Sequence, residues 1–213
     1  NKYSTRFLFT GYLEMRNEIK FRGSYNDFTT YLNQLSALHT YPVRNVNSIY
    51  FDTNQLDYFI DSEEGTVPRK KIRYRWYNSP DMLNTGSIEV KKTFENSRDK
   101  DNIKIENINY NKIFEMCENI VDQPLKPVVK VSYRRDYFVD KYDYRYTVDY
   151  NIEYSALDMI KQIPKIRSKS FEKFSIMEVK TPLDVDQGFL IKEFGDKRVR
   201  HSKYCEAVKN CYI

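Results

Sequence analysis

Cysteine is scarce in this chain of 213 residues: Cys117, Cys205 and Cys211 are all there is. Three thiols leave one over in any disulfide scheme, none forms a CxxC pair, and none shares metal-type spacing with another. A disulfide scaffold and a thiolate zinc site are set aside, and free thiols in a reducing cytoplasm are expected. Glycine and proline number 6 and 7, too few for a linker or a low-complexity protein. Histidine is limited to His39, expected at a helix end, and His201 in the tail, a thin basis for imidazole catalysis. No apolar run approaches the roughly 20 residues of a membrane-spanning helix. Residues 1–10 lack the charged and apolar regions of a signal peptide, and the absence of an initial Met reads as trimming from a longer chain. No repeat of fixed period and no long block of one charge is found.

What is present leans towards β structure. Aromatic residues make up 15%, with 19 Tyr and 13 Phe, types that suit a pleated, half-buried surface. Hydrophobic residues are 40%, enough for a core at this length, and no stretch reads as a boundary. One domain over residues 1–213 is expected. The net charge of +5 attracts polyanions without naming one.

Strands are expected at Met15 to Phe21, Asn47 to Asp52, Arg69 to Tyr77, Ser87 to Thr93, Val128 to Val139, Tyr144 to Ile152 and Phe174 to Thr181. A helix capped by Ser24 carries Phe28, Tyr31, Leu32, Leu35 and Leu38 at helical spacing, and Pro42 ends that region. A short turn or helix covers Asn54 to Asp61. A second amphipathic helix carries Ile113, Phe114, Met116, Cys117, Ile120 and Val121, stopped by Pro124 and Pro127. The tail from Asp186 to Tyr212 reads as helix interrupted near Gly195. Turns are expected at Asn78-Ser79-Pro80-Asp81 and Thr85-Gly86, and the polar stretch from Glu95 to Asn109 is unassigned.

The strands carry the functional signal, because side chains alternate between faces with period two. Arg69, Lys71, Arg73 and Arg75 share one face, against Ile72, Tyr74 and Trp76. Arg16, Glu18 and Lys20 share a face, as do Glu89 and Lys91, Arg145, Thr147 and Asp149, and Glu178 and Lys180. A half-buried sheet with a watery polar face is the plainer explanation for any one strand. It weakens when five strands repeat the pattern and the faces are mostly cationic, since crowded cations call for an anionic ligand. The expectation is an α+β fold: a closed antiparallel β-barrel tunnel of about eight strands, charged inside, with helices packed outside. A transmembrane barrel is disfavoured because helices interrupt the strand series.

Taken together, RNEIKF at 16–21, SIYFDT at 48–53, RKKIRYRWY at 69–77, SIEVKKT at 87–93, VSYRRDYF at 131–138, RYTVDYNI at 145–152, IMEVKTP at 176–182 and RHSKYCEAV at 200–208 resemble the triphosphate tunnel metalloenzymes (CYTH-like). Within them they are most similar to the vacuolar transporter chaperone (VTC) catalytic domain, a polyphosphate polymerase. The broader superfamily opens with Glu-x-Glu-x-Lys. Here Arg16 takes the first position, a departure from the triphosphatase and cyclase branches that is similar to the polymerase branch.

The resemblance implies that Arg73, Arg75, Arg135 and Arg145 clamp phosphate oxygens, with Lys20, Lys71, Lys91 and Lys180 beside them. A planar guanidinium that donates two parallel hydrogen bonds suits that task. Strand phase leaves open whether Arg134 or Arg135 points inward. Tyr133 is implied to contact a nucleobase, with a packing role as the alternative. Arg200, Ser202 and Lys203 match a tail motif that closes over the phosphates. Glu178 is implied to hold Mn²⁺ or Mg²⁺, ions that take one or two carboxylates plus phosphate oxygens and water. Glu18 and Glu89 are expected to balance charge.

The implied activity is transfer of the terminal phosphate of ATP to a growing polyphosphate chain. The alternatives are hydrolysis of triphosphate or nucleoside triphosphates, and a non-catalytic polyphosphate-binding module. Nucleic acid is not an expected partner, because a duplex could not enter a lumen. Any membrane coupling would come from a partner.

Overall fold

The computed structural model describes residues 16–79, 83–95, 97–107, 109–160 and 163–213, with backbone alone at 160 and 163. Residues 1–10, Met15, Pro80 and Asp81, on which expectations above fell, lie outside the described residues. Among the described residues the architecture is α+β: an antiparallel sheet with five helices.

Strand β1 (Arg16–Gly23) leads into helix α1 (Tyr25–Gln34), whose first turn is capped by Ser24 accepting from the Asp27 amide at 3.0 Å. Strand β2 (Leu38–Asp52) is much longer than its apolar run suggests. It contains Pro42 and includes His39, which packs tilted against Phe138 rather than ending a helix. Helix α2 (Asp57–Glu64) and strands β3 (Arg69–Tyr77) and β4 (Thr85–Thr93) follow. Gly86 lies inside β4 and not in a turn. A side chain there would meet the Arg75 carbonyl at 2.4 Å and the Tyr74 hydroxyl at 2.6 Å, so only glycine lets these strands approach.

Strand β5 (Arg98–Glu106) occupies the polar stretch that sequence reading left unassigned. Helix α3 (Tyr110–Val121), strands β6 (Lys126–Val139), β7 (Arg145–Ile160), β8 (Ile163–Phe171) and β9 (Ser175–Pro182), and helices α4 (Gly188–Phe194) and α5 (Lys203–Tyr212) complete the chain. A short 3₁₀ turn at Gly195–Lys197 interrupts the tail where Gly195 suggested.

The strand order is β1-β9-β7-β6-β2-β3-β4-β5, with β8 paired to β7 off this path. The expected closed barrel is therefore corrected. Among the described residues β1 and β5 stand at opposite ends of an open ladder. The sheet is nonetheless strongly curled. Lys91 on β4 is within electrostatic reach of Glu18 and Lys20 on β1 and Glu178 on β9, strands far from it in the ladder.

Tail residues partly bridge the gap. The Val199 amide donates to the Lys20 carbonyl at 2.9 Å, and Arg198 pairs with Phe21 on the free edge of β1. Arg200 then reaches the Ser62 carbonyl of α2 at 2.8 Å. Non-strand chain thus crosses from β1 towards α2, which is why alternation alone could not reveal whether the ladder closes.

The convex side is apolar. Ile19, Phe21, Tyr146, Val148, Met177 and Val179 pack with Phe28, Tyr31 and Leu32 of α1 and Leu190 and Phe194 of α4. Ile72, Tyr74, Trp76, Ile88, Val90 and Ile105 belong to a second core with Ile113 and Cys117 of α3. Helix α5 is different, because it lies on the concave side. Tyr50 faces Arg73 across β2–β3, and Tyr204 of α5 stacks on Tyr50 at 5.2 Å. Further along, the Tyr212 hydroxyl donates to the Val128 carbonyl at 2.8 Å and the Leu157 carbonyl at 3.2 Å. One end of the concavity is therefore floored by a helix, not left open.

Candidate functional site

Register gathers the charged residues. Lys20 lies opposite Glu178, and Glu18 opposite Lys180, between β1 and β9. Thr147 lies opposite Glu178, and Asp149 opposite Arg135. Arg73 lies opposite both Tyr50 and Glu89, and Lys71 opposite Lys91. Cross-strand neighbours share a face, so these side chains converge on the concavity.

Two carboxylates hold the arginines. Glu89, 4% exposed, accepts from Arg73 at 2.6 Å and pairs with Arg75 at 3.3 Å and Lys100 at 3.2 Å. Burial opposes its charge, but Arg73 and Arg75 overcome that and hold its carboxyl at about 2. Asp149 accepts from Arg135 at 2.5 and 2.7 Å and also from Lys203 of α5. Burial again opposes its charge, and Arg135 and Lys203 hold its carboxyl at about 2.

Glu178 is the third anion. Lys180 lies 3.0 Å from it and Lys20 3.6 Å. Burial works against its ionisation, and Lys20, Lys180 and Arg135 more than reverse that, so it stays charged below the usual carboxylate range. Glu18 pairs with Lys20 at 3.1 Å and Lys180 at 3.8 Å. Among the described residues no group of three or more His, Cys, Asp or Glu side chains is arranged to hold a metal. Glu178 and Glu18, on paired strands, could supply the one or two carboxylates that Mn²⁺ or Mg²⁺ takes beside phosphate oxygens and water.

Lys71 donates to Ser202 Oγ at 2.9 Å, and Lys20 to the His201 carbonyl at 3.2 Å, so the start of α5 sits against the cations. His201 is buried and its pKa is pushed down to about 3, first by burial and then by Lys203 and Lys20, which keeps the imidazole neutral. Lys91 is water-accessible yet crowded by protein. Lost solvation and then Arg73 lower its ammonium to about 8.

Of the expected residues, Lys20, Lys71, Arg73, Arg75, Lys91, Tyr133, Arg135, Glu178, Lys180, Ser202 and Lys203 converge here. The phase question resolves in favour of Arg135, since Arg134 lies over Tyr150 at 5.4 Å instead. Arg145 lies opposite Lys180, on the same face, but is exposed at the end of β7. Arg200 is committed to the α2 carbonyl. Tyr133 is buried, with its hydroxyl 3.4 Å from Arg75 and two cations against its ring, Lys203 at 4.7 Å and Arg135 at 5.3 Å.

Sequence reading missed four participants. Tyr50, Ser48 and Asp149 stood in alternating segments but were given no role, and Lys100 sat in the unrecognised β5. Several buried polar atoms of this face have no hydrogen-bond partner within the protein: Ser48 Oγ, Arg75 Nε, Thr147 Oγ1 and, at the α5 end, His201 Nε2. Such groups are costly unless something polar meets them, so the surface is built for a polar occupant.

Residues 13–212 match the family model of the VTC domain. No relative among curated proteins matches. Solved structures similar to this chain include the PH1012 protein of Pyrococcus horikoshii OT3, 12% identical with a TM-score of 0.57, covering 91% of this chain and 99% of that one. HpAC1 of Hippeastrum, proposed as an adenylyl cyclase and described as having a dominant triphosphatase activity, is 16% identical with a TM-score of 0.54, covering 93% and 98%. These likenesses show a common fold.

Proposed function

We propose that this chain, which belongs to the VTC domain family, forms one VTC-type domain that transfers the terminal phosphate of ATP to an inorganic polyphosphate chain. The observation that carries the reading is the excess of cations on the concave face. Among the described residues of that face, Lys20, Lys71, Arg73, Arg75, Lys91, Lys100, Arg135, Lys180 and Lys203 stand against Glu18, Glu89, Asp149 and Glu178, beside orphaned buried polar atoms. A chain of phosphates supplies the missing negative charge and the acceptors.

Phosphoryl transfer asks a protein mainly to position and neutralise. Arg73, Arg75 and Arg135 are already fixed by Glu89 and Asp149, so they need little reorganisation to meet phosphate oxygens. Lys203 and Ser202 at the start of α5 would close over the terminal phosphate. A divalent ion on Glu178, Mn²⁺ or Mg²⁺, would neutralise charge on the phosphate oxygens. Arg16 at the first position of β1 favours phosphate over water as acceptor, by similarity to the polymerase branch. Arg145 would meet phosphates further out. A cytoplasmic location is proposed from the free thiols. Among the described residues no helix is long and apolar enough to cross a membrane.

The deciding experiment incubates the protein with ATP and Mn²⁺ or Mg²⁺ and resolves polyphosphate from orthophosphate. Long chains support the polymerase. Orthophosphate alone would make it a phosphatase, and tripolyphosphate binding without turnover would make it a holding module.

Two further results are expected. Arg75→Ala should weaken tripolyphosphate binding by about 1.5–3 kcal/mol, the worth of a charge-assisted hydrogen bond, with the fold intact because Arg73 and Lys100 still satisfy Glu89. Unchanged affinity by calorimetry would remove Arg75 from the site. Second, Lys91 is protonated below about 8 and neutral above it, so affinity for tripolyphosphate should fall as pH rises through that value. Lys91→Arg, which stays charged, should flatten this step. A profile that is identical in the two proteins would assign the titration elsewhere.

A further inference from the structure

Strand β8 stands apart from the ladder that builds the concave face. β7 pairs with β9 from Arg145 to Asp149 and with β8 from Glu153 to Ile160, so β9 and β8 lie in line along one edge of β7. The far edge of β9 is taken by β1. On the far edge of β8 no strand follows among the described residues. An unpaired edge presents a row of backbone donors and acceptors to which another strand can add. Sheets guard such edges with charge, and β5 at the end of the ladder fits that habit: Arg98, Lys100 and Lys104 are matched by Asp99, Asp101 and Glu106. β8 differs. It carries Lys165, Arg167 and Lys169 and no acidic residue, and every position from Lys165 to Lys169 is exposed.

The two faces of β8 are also unlike. Its register against β7 shifts between Ala156 and Leu157, where Arg167 is the extra residue. Ile166, Lys169 and Phe171 lie opposite Leu157, Ser155 and Glu153, alternate residues of β7 that share a face. Met159 continues that row. Met159, Ile166 and Phe171 are 42%, 46% and 65% exposed, whereas Lys169 is held by Glu153 at 2.9 Å. Lys165 lies opposite Asp158 on the other face, that of Ala156 and Tyr154. Arg167 reaches the same side, 4.8 Å from the Tyr212 ring centroid of α5 and 4.0 Å from Asp158. One face is thus apolar with its lysine already paired. The other sets two exposed cations against a single half-exposed carboxylate.

We propose that the free edge of β8 takes up an extended segment of a partner protein as a further strand, a segment in which acidic and apolar residues alternate. Main-chain hydrogen bonds to the edge would supply affinity, and side chains on the two faces would supply specificity. Carboxylates on one face of the segment would meet Lys165 and Arg167. Apolar side chains on the other would cover Ile166 and Phe171, which an edge built only for protection would not leave in water. A second copy of this chain does not fit. An antiparallel pair of β8 strands centred on Arg167 sets Lys165 against Lys169, and like charges directly opposite are destabilising. A lipid surface fits less well, because it leaves the backbone edge unpaired.

The test uses the acetylated and amidated peptide Thr-Glu-Val-Glu-Val-Glu-Thr, with calorimetry and amide hydrogen exchange as readouts. The wild-type protein should bind it, and exchange should slow at the β8 amides. The same peptide with Lys in place of Glu should not bind. Lys165→Glu/Arg167→Glu should weaken binding about tenfold, the scale of two cross-strand attractions turned into repulsions. If that variant does not fold, Lys165→Gln/Arg167→Gln removes the charges without adding repulsion and should weaken binding several-fold. Saturating tripolyphosphate should leave the peptide bound, because the concave cations are a separate surface. No binding by the wild-type protein, displacement by tripolyphosphate, or unchanged exchange in β8 would overturn the proposal. Binding to phosphatidylserine–phosphatidylcholine vesicles that either variant loses, without peptide binding, would reassign the surface to lipid.

Discussion

Glu178→Gln should abolish metal-dependent turnover and leave tripolyphosphate binding in place. The change keeps the shape of the side chain and removes the negative charge a hard cation needs. Losing a mere outer-shell partner of a metal typically costs 10–100-fold, so loss of a direct ligand should cost at least about 100-fold in rate. Binding should survive because the proposed phosphate contacts belong to Arg73, Arg75 and Arg135. Without metal it should even tighten, since Lys20 and Lys180 lose the carboxylate they now pair with. The measurement is paired: turnover in saturating Mn²⁺, and tripolyphosphate affinity in chelator. Retained turnover would reduce Glu178 to charge balance. Glu18, tied to the same lysines, would then be the next candidate, ahead of Glu89, which Arg73, Arg75 and Lys100 already surround.

The reason so many of these residues could be named from sequence is period-two alternation. β3 spells it without interruption, and its bounds agree with the sequence reading at both ends. Where one face is fully buried and the other charged, the phase is unambiguous. β5 and β8 escaped because they lack that contrast. In β5 only Ile105 is buried and both faces carry charge, and β8 alternates Lys165, Arg167 and Lys169 with exposed Ile166 and Ser168. A strand exposed on both faces looks like a loop in sequence.

That the ladder stays open, where a closed barrel was expected, was not legible for a different reason. Alternation says which face a residue takes, but not which strand edges meet. The edge of β1 is partly taken by residues 198–199 of the tail, a contact of high sequence separation and no periodic signature. β7 also hides a change of phase. Register shifts between Ser132 and Arg134, where Asn151 adopts a φ of 50°, so Asp149 faces Arg135 while Tyr154, beyond the bulge, faces Val131. This one step lets the same strand offer a carboxylate to the cage and apolar surface to α5.

Asp52→Ala should be the most destabilising substitution in the chain's polar interior. Asp52 is fully buried and accepts from the Thr53, Tyr58 and Phe59 amides at 2.7, 3.0 and 3.0 Å, and from the Tyr204 hydroxyl. α2 depends on it, because Leu56 at its start has a left-handed backbone and no side chain that caps. One carboxylate thus satisfies the first turn of α2 and ties α5 to the end of β2. Alanine would leave three amides and a hydroxyl without acceptors in a dry environment. The expected loss is about 3–5 kcal/mol, read as a lower urea midpoint at unchanged slope. Tyr204→Phe removes a single donor and should cost about 1–2 kcal/mol. Because Tyr204 adjoins Lys203, both variants should also bind tripolyphosphate more weakly, and Asp52→Ala more so. An Asp52→Ala protein within about 0.5 kcal/mol of wild type, the range of an ordinary surface change, would mean that α5 is held over the cage by its apolar face alone.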